Sequence, residues 1–244
     1  MKGPSMRLTE DFAGVTRFAD AGRWYINRFV QSAADTVATG TLLLDAGAGE
    51  CAYKGLFARC RYLGVDLGVG NDSWRWRNLD CIAPLGRLPF RDGTFGAVLC
   101  TQVLEHLVQP WEDLAELRRV LAPGGLLFLT APMSQAEHQT PHDYFRFTSF
   151  GLRSLLVRTG FTQIRIDPLG GMFTRMAYQL PRTLSVIPGS GLCSGGFNLA
   201  GVLLLPVRVG VFCLVRVFQA ALLVLDRLDK VRNDPLGWSV VAVK

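Results

Sequence analysis

Thr41-Leu42-Leu43-Leu44-Asp45-Ala46-Gly47-Ala48-Gly49-Glu50 is the stretch on which the reading of this chain turns. A leucine run closing on an acid has the continuous apolar character of a parallel strand buried on both faces, and the glycines behind it mark a tight turn before a helix. Gly47 and Gly49 carry no Cβ, so a ligand can approach the backbone there, and the free N–H groups of a following helix point at the same spot. Downstream, Tyr62-Leu63-Gly64-Val65 reads as a second strand running into Asp66. An acid ending the second strand, after a glycine turn ending the first, is placed to accept hydrogen bonds from two ribose hydroxyls. Together they imply a nucleoside-containing ligand.

The glycine count narrows that ligand. A dinucleotide turn needs G-x-G-x-x-G so that a pyrophosphate can rest on the helix N-terminus, but here the run is Gly47-Ala48-Gly49-Glu50-Cys51-Ala52. The third glycine is absent, and Glu50 would repel a pyrophosphate. Asp45 beside the glycines suits a cationic ligand carrying an ammonium and a sulfonium. Here the chain resembles the class I S-adenosylmethionine-dependent methyltransferases, in particular the methyltransferase type 11 group. The resemblance runs over residues 42–161 and is carried by LDAGAGE, the acid of GVDLG, LPFRDGTFGAVLCTQVLEHL and LRRVLAPGGLLFLTAP, in that order.

The resemblance implies an α/β fold: a Rossmann-like, doubly wound, mostly parallel seven-stranded sheet. It implies S-adenosyl-L-methionine as cofactor, with Asp45, Gly47 and Gly49 at its methionine end and Asp66 on the ribose. Relatives usually place an acid before the LPF segment against the adenine amino group, and Asp80 is the nearest acid here. Thr101 and Gln102, at the carboxyl end of the strand Ala97–Cys100, should lie beside the transferable methyl. Cys51, Pro84 and Gly96 depart from the usual pattern.

With 244 residues the chain accommodates one α/β domain plus an insertion. Its six cysteines, at 51, 60, 81, 100, 193 and 213, show neither C-x-x-C spacing nor a His/Cys cluster, so reduced thiols are expected and no metal-ligand set is expected. The first residues lead into a polar segment without an apolar core, which points to a cytoplasmic enzyme. Residues 1–150 hold 15 Lys+Arg against 16 Asp+Glu, a balance of −1, whereas residues 151–244 hold 11 against 4, a balance of +7. That asymmetry suits an anionic surface as partner, and a solvated basic face equally.

Thr9, Glu10 and Asp11 read as a helix start with apolar residues at Phe12, Val15, Phe18 and Ala19, and a second helical run holds Trp24, Tyr25, Phe29 and Val30. Residues 1–40 are therefore expected as a helical cap and 41–169 as the core. Trp74 and Trp76, interleaved with Arg75 and Arg77, form either a stacking platform or a loop anchor. His106 is expected as a packed or capping residue. A helix is expected over 110–121, closed by Ala122-Pro123-Gly124-Gly125, then a strand over 126–130.

The polar loop 134–148 follows. Its His142 and His138 are candidates for a base that takes a proton from an acceptor, because a neutral imidazole has its pKa near working pH. Arg146 and Tyr144 are candidates for holding the acceptor, with Arg146 alternatively paired to Asp143. A helix over 150–160 and a strand over 161–166 come next.

The last strand, expected within 233–244, comes late, so 170–232 reads as an insertion. Within it, 199–225 is an apolar run long enough to span a bilayer but interrupted by Arg208 and Arg216. On a helical wheel at 100° per residue, Arg208, Gln219 and Asp226 fall within about 20° of one another and Arg216 about 80° away. A narrow polar stripe on an apolar helix suits an interfacial helix, with Arg175, Arg182, Arg227, Lys230 and Arg232 meeting anionic headgroups on the inner membrane face.

The expected function is methyl transfer to a small molecule, lipid precursor or sugar. Nitrogen-directed nucleic-acid enzymes would carry N/D-P-P-Y where this chain has Cys100-Thr101-Gln102-Val103, and Cys100 lacks the preceding proline of cytosine-C5 enzymes. An oxygen or carbon acceptor is therefore favoured and nucleic acid is not. Two alternatives remain: a nicotinamide-dependent oxidoreductase, and a silent, membrane-associated binding module on the same fold.

Overall fold

The leucines at 42–44 become β1 (Leu42–Ala46), an inner strand of a seven-stranded sheet. The computed structural model describes residues 15–69, 76–186 and 205–244. The other strands are β2 (Arg61–Asp66), β3 (Cys81–Ile82), β4 (Phe95–Thr101), β5 (Leu121–Pro132), β6 (Thr162–Leu169) and β7 (Gly237–Val243), arranged β3-β2-β1-β4-β5-β7-β6. β7 pairs antiparallel with both β5 and β6, and the remaining pairings are parallel. The sheet is thus mostly parallel and Rossmann-like, as the motifs imply.

Side chains alternate across this sheet and fill two cores. Leu44, Val98, Cys100, Leu127 and Leu129 face one side, where α2 (Pro110–Val120) and α3 (Ser149–Arg158) pack with Leu114, Leu117, Leu152 and Leu156. Leu43, Ala97, Leu99 and Phe128 face the other, against Val30, Ala33, Ala34 and Val37 at the end of α1 (Ala21–Thr36). Strands covered on both faces need an unbroken apolar sequence, and this is why 42–44 and 126–129 read as continuous runs.

Several boundaries differ from expectation. Val15–Asp20 makes a turn instead of continuing a helix, because Thr16 takes the N–H groups of Ala19 and Asp20 and Asp20 then caps α1 by accepting from Arg23 N at 2.9 Å. The part of that expected helix around Thr9 and Phe12 lies outside the described residues, as do Trp74, Arg75 and the apolar residues 199–204. The Ala122–Gly125 segment belongs to β5: Leu121 already pairs with Phe95, and the ladder shifts register before Ala97↔Leu126. α3 starts earlier than expected since Thr148 Oγ1 accepts from Gly151 N at 3.0 Å.

Between β6 and β7 lie α4 (Met172–Gln179), a turn of 3-10 helix at Leu180–Val186, and α5 (Leu205–Leu225). α5 meets the protein along Gln219, Leu222, Leu223 and, just beyond its end, Asp226. Gln219 and Asp226 of its polar stripe therefore face inward, a direction that the helical wheel left open. Gln219 Nε2 donates to Phe18 O at 3.2 Å, and Asp226 accepts from Arg17 at 2.8 Å and from Thr174 N at 2.8 Å. Val207, Phe212, Leu214, Val217 and Phe218 are left exposed.

Candidate functional site

The chain turns to opposite sides of the sheet after β1 and after β4, and their carboxyl ends open a crevice between them. A cleft of about 830 Å³ fills it. Its floor is the turn after β1. Gly47 N and Ala48 N both donate to Val65 O, at 2.8 and 3.0 Å, which folds the turn over the end of β2. Gly47 has φ +78° and a Cβ there would stand 2.4 Å from Val103 Cγ2, so the backbone has no room for a side chain. At Gly49 (φ +53°) the space is open: a Cβ would meet nothing within 4 Å and would instead occupy the cleft.

Asp66 ends β2 on the cleft wall. Its Oδ2 accepts from Gly49 N and its Oδ1 from Gly68 N, each at 3.0 Å. Each carboxylate oxygen has a second lone pair, so both can still accept from a diol. Beside it Leu67, Val69, Pro84 and Leu85 make an apolar wall suited to a flat heterocycle.

Gln102 stands at the opposite lip with φ +55°, a left-handed conformation that a non-glycine residue adopts at a cost of about 1 kcal/mol or more. It is held by Gln102 N donating to Thr130 O at 3.0 Å and Gln102 Nε2 donating to Thr130 Oγ1 at 3.1 Å. His142 and Tyr144 also line the cleft, with His142 Nδ1 and the Tyr144 hydroxyl 3.2 Å apart.

Four expected residues are placed otherwise. Asp45 lies beneath the turn at 1% exposure, and burial raises its carboxyl to about 7 although the Tyr62 hydroxyl donates to it at 2.5 Å. It does not line the cleft. Asp80 accepts from Gly64 N at 2.9 Å and sits 3.6 Å from Lys54, so it braces the back of β2 away from the cleft. Arg146 spends all its donors inside the loop: Nε on Gln135 O, Nη1 on Asp143 and Phe145 O, Nη2 on Asp143 and Ala136 O. It is a loop brace and has no donor left for an acceptor molecule. His138 also stands off the cleft, its Nδ1 against Ala136 O at 3.1 Å and Asp143 at 3.3 Å.

Other cleft residues carried no readable signal. Arg23, Ile26 and Asn27 of α1 line it, which makes this helix a wall of the site. Arg23 is one turn of helix in from an N-cap, a surface position by sequence. Asp113, expected only in the first turn of α2, also lines the cleft, and burial lifts its carboxyl to about 6.

His106, expected as a packed residue, lies on the cleft wall next to the fully buried Glu105. Among the described residues neither oxygen of Glu105 has a hydrogen-bond partner, nor has His106 Nε2. Burial raises the Glu105 carboxyl to about 8 and holds the His106 imidazole below its usual value. Glu105, His106 and His138 each present one ligand atom, all within 4.8 Å of one another. The spacing of His and Cys residues had suggested no such cluster. Spacing could not show the cluster, because His138 reaches it by the return of a loop.

Residues 44–129 match the family model described as "Methyltransferase domain". An uncharacterised methyltransferase of Mycobacterium avium (strain 104) is 34% identical over 105 residues, covering 38% of this chain and 40% of that protein. The chain thus spans under half the length of that curated relative. Among solved structures, a SAM-dependent methyltransferase from Archaeoglobus fulgidus aligns with TM-score 0.55 and 14% identity, over 91% of this chain and 95% of that one. The [4+2]-cyclase SpnF aligns with TM-score 0.54 and 18% identity, over 89% and 81%. At these identities the structures show a shared fold alone.

Proposed function

We propose that this chain, whose residues 44–129 match a methyltransferase domain, transfers a methyl group from S-adenosyl-L-methionine to an oxygen or carbon of a small molecule, lipid precursor or sugar. One observation carries this reading: the open space over Gly49 next to a carboxylate, Asp66, that keeps two lone pairs free at the cleft wall. The cofactor supplies an activated methyl on a sulfonium. The protein's work is alignment and exclusion of water.

Asp66 would take the two ribose hydroxyls, and the wall of Leu67, Val69, Pro84 and Leu85 would take the adenine. Arg23 is a cation on the cleft wall, suited to the carboxylate of the methionine end. Gln102, His142 and Tyr144 border the volume left for the acceptor, and His142 is the imidazole there able to accept a proton from a hydroxyl. The test is isothermal titration with S-adenosylmethionine. Micromolar-range binding that weakens by about 1–3 kcal/mol in Asp66→Ala supports the assignment, since buried hydroxyls lose a charged acceptor. Binding of NAD in its place, or equal affinity in the variant, refutes it.

A second reading concerns place. Val207–Leu228 is long and apolar enough to cross a membrane by length and composition, and only 22% of its most apolar window is buried. The exposed side of α5 is apolar, and exposed Arg227 and Lys230 lie just past its end at Leu225. This polarity supports docking on an anionic lipid surface, where apolar side chains enter the headgroup boundary and basic ones stay above it. Of the expected headgroup contacts, Arg175 pairs with Asp234 at 2.5 Å and Arg182 stacks on Tyr178, so Arg227 and Lys230 are the better candidates. Recovery of all the protein in the soluble fraction at low salt without detergent would end this reading.

A further inference from the structure

We infer that Glu105, His106 and His138 form a binding site for a divalent first-row transition-metal ion at the acceptor side of the cleft. The inference goes beyond methyl transfer and does not depend on it. Its first support is Glu105. A carboxyl at 0% exposure with no hydrogen bond to either oxygen among the described residues is among the costliest groups to bury, and a proton or a cation stabilises it. The Arg146 guanidinium nearby is already engaged by Asp143 through both Nη atoms, so it does not neutralise Glu105 by contact.

The second support is the orientation of the two imidazoles. His106 Nδ1 is 2.5 Å from His142 O, an acceptor, so Nδ1 carries the proton and the lone pair is on Nε2, which is buried and unpartnered. His138 Nδ1 faces two acceptors, Ala136 O and the Asp143 carboxylate, which gives that ring the same tautomer. Arg146 keeps Asp143 ionised, holding its carboxyl well below the usual range. A ring fixed from behind by a carbonyl or a carboxylate, with the other nitrogen free, is the arrangement that outer-shell groups impose on metal-bound histidines.

Two neutral imidazoles and one carboxylate are a donor set for zinc, iron, cobalt or manganese; magnesium and calcium prefer oxygen ligands alone. With metal–ligand bonds of about 2.0–2.2 Å, ligand atoms sit roughly 3–3.5 Å apart, so the widest separation, up to 4.8 Å, must close by about 1.3–1.8 Å. The His106–Glu105 pair is at 3.9 Å, and the His138 side chain, at 30% exposure, has room to close on them. His106 belongs both to this cluster and to the cleft wall. A cation held here borders the same space as Gln102, His142 and Tyr144, where it would orient an acceptor oxygen.

The test uses untagged full-length protein, stripped with chelator and titrated with cobalt(II) chloride without S-adenosylmethionine, reading the visible d–d absorption. One cobalt per chain is expected in the wild type, with affinity at least 10-fold lower in His138→Ala and in Glu105→Gln and little changed in His142→Ala. S-adenosylmethionine affinity and far-ultraviolet circular dichroism, measured on every variant, separate loss of metal from loss of fold. Should Glu105→Gln fail to fold, His138→Ala decides alone, because its side chain lies in a loop and is partly exposed. Absence of saturable cobalt binding in the wild type, or equal affinity in His138→Ala, overturns the inference.

Discussion

Gly47 shows how one residue can carry a site. Its φ of +78° and the 2.4 Å between a built Cβ and Val103 Cγ2 mean that Gly47→Ala combines a disfavoured backbone with a collision against a branched side chain. We expect a loss of about 2–4 kcal/mol in unfolding free energy by urea denaturation, from left-handed strain and overpacking together. A loss below about 0.5 kcal/mol would show that the turn relaxes easily. The placement of Gly47, Gly49 and Asp66 on the cleft was readable beforehand because it follows from backbone conformation and from the ends of adjacent strands. Asp80 and Arg146 were misread because a charged side chain takes whatever partner the fold brings, and Gly64 N, Lys54 and Asp143 were not visible as partners.

At the scale of elements, α5 buries Gln219 beside Leu222 and Leu223 and leaves much of its apolar surface outside. Gln219 and Asp226 point into the protein, while Phe212 and Val217, at 52% and 67% exposure, point out. A soluble surface helix buries its apolar stripe. The double variant Phe212→Glu/Val217→Glu should therefore leave thermal stability within about 0.5 kcal/mol, as exposed substitutions do. It should also abolish co-sedimentation with vesicles containing one-third phosphatidylserine. Undiminished vesicle binding would mean that the membrane contact lies elsewhere. The apolar length of this segment was legible in sequence. Which side its polar residues take was not, because periodicity gives the angle between residues and not the direction of the protein.

At the scale of the molecule, burial beneath the sheet end couples stability to pH. Burial pushes the Asp45 carboxyl up to about 7 in the folded protein from 3.8 for a free side chain, with the nearby Asp66 charge adding to it and the Tyr62 hydrogen bond opposing. Between those values the folded state keeps a proton that the unfolded chain has released, so stability falls as pH rises from about 4 to 7 and levels off above. Asp45→Asn, which keeps an acceptor for Tyr62, should reduce that slope by up to about 1.4 kcal/mol per pH unit. Glu105 and Asp113, also raised, add to the wild-type slope, so the difference between the two proteins is the quantity to measure. Parallel slopes would show that Asp45 is ionised in the folded state.

Sequence by itself marked every strand but β3, and the glycine turn and Asp66 that end β1 and β2. Strands covered on both faces demand unbroken apolar runs, and a turn with φ above zero demands glycine, so these features must be written locally. Only the tertiary structure decided that α1 walls the cleft, that Arg146 braces a loop, that α5 turns its polar groups inward, and that His138 joins Glu105 and His106. Those outcomes depend on the direction in which a side chain leaves a packed element and on which distant group it meets, and a linear pattern of residue types carries neither.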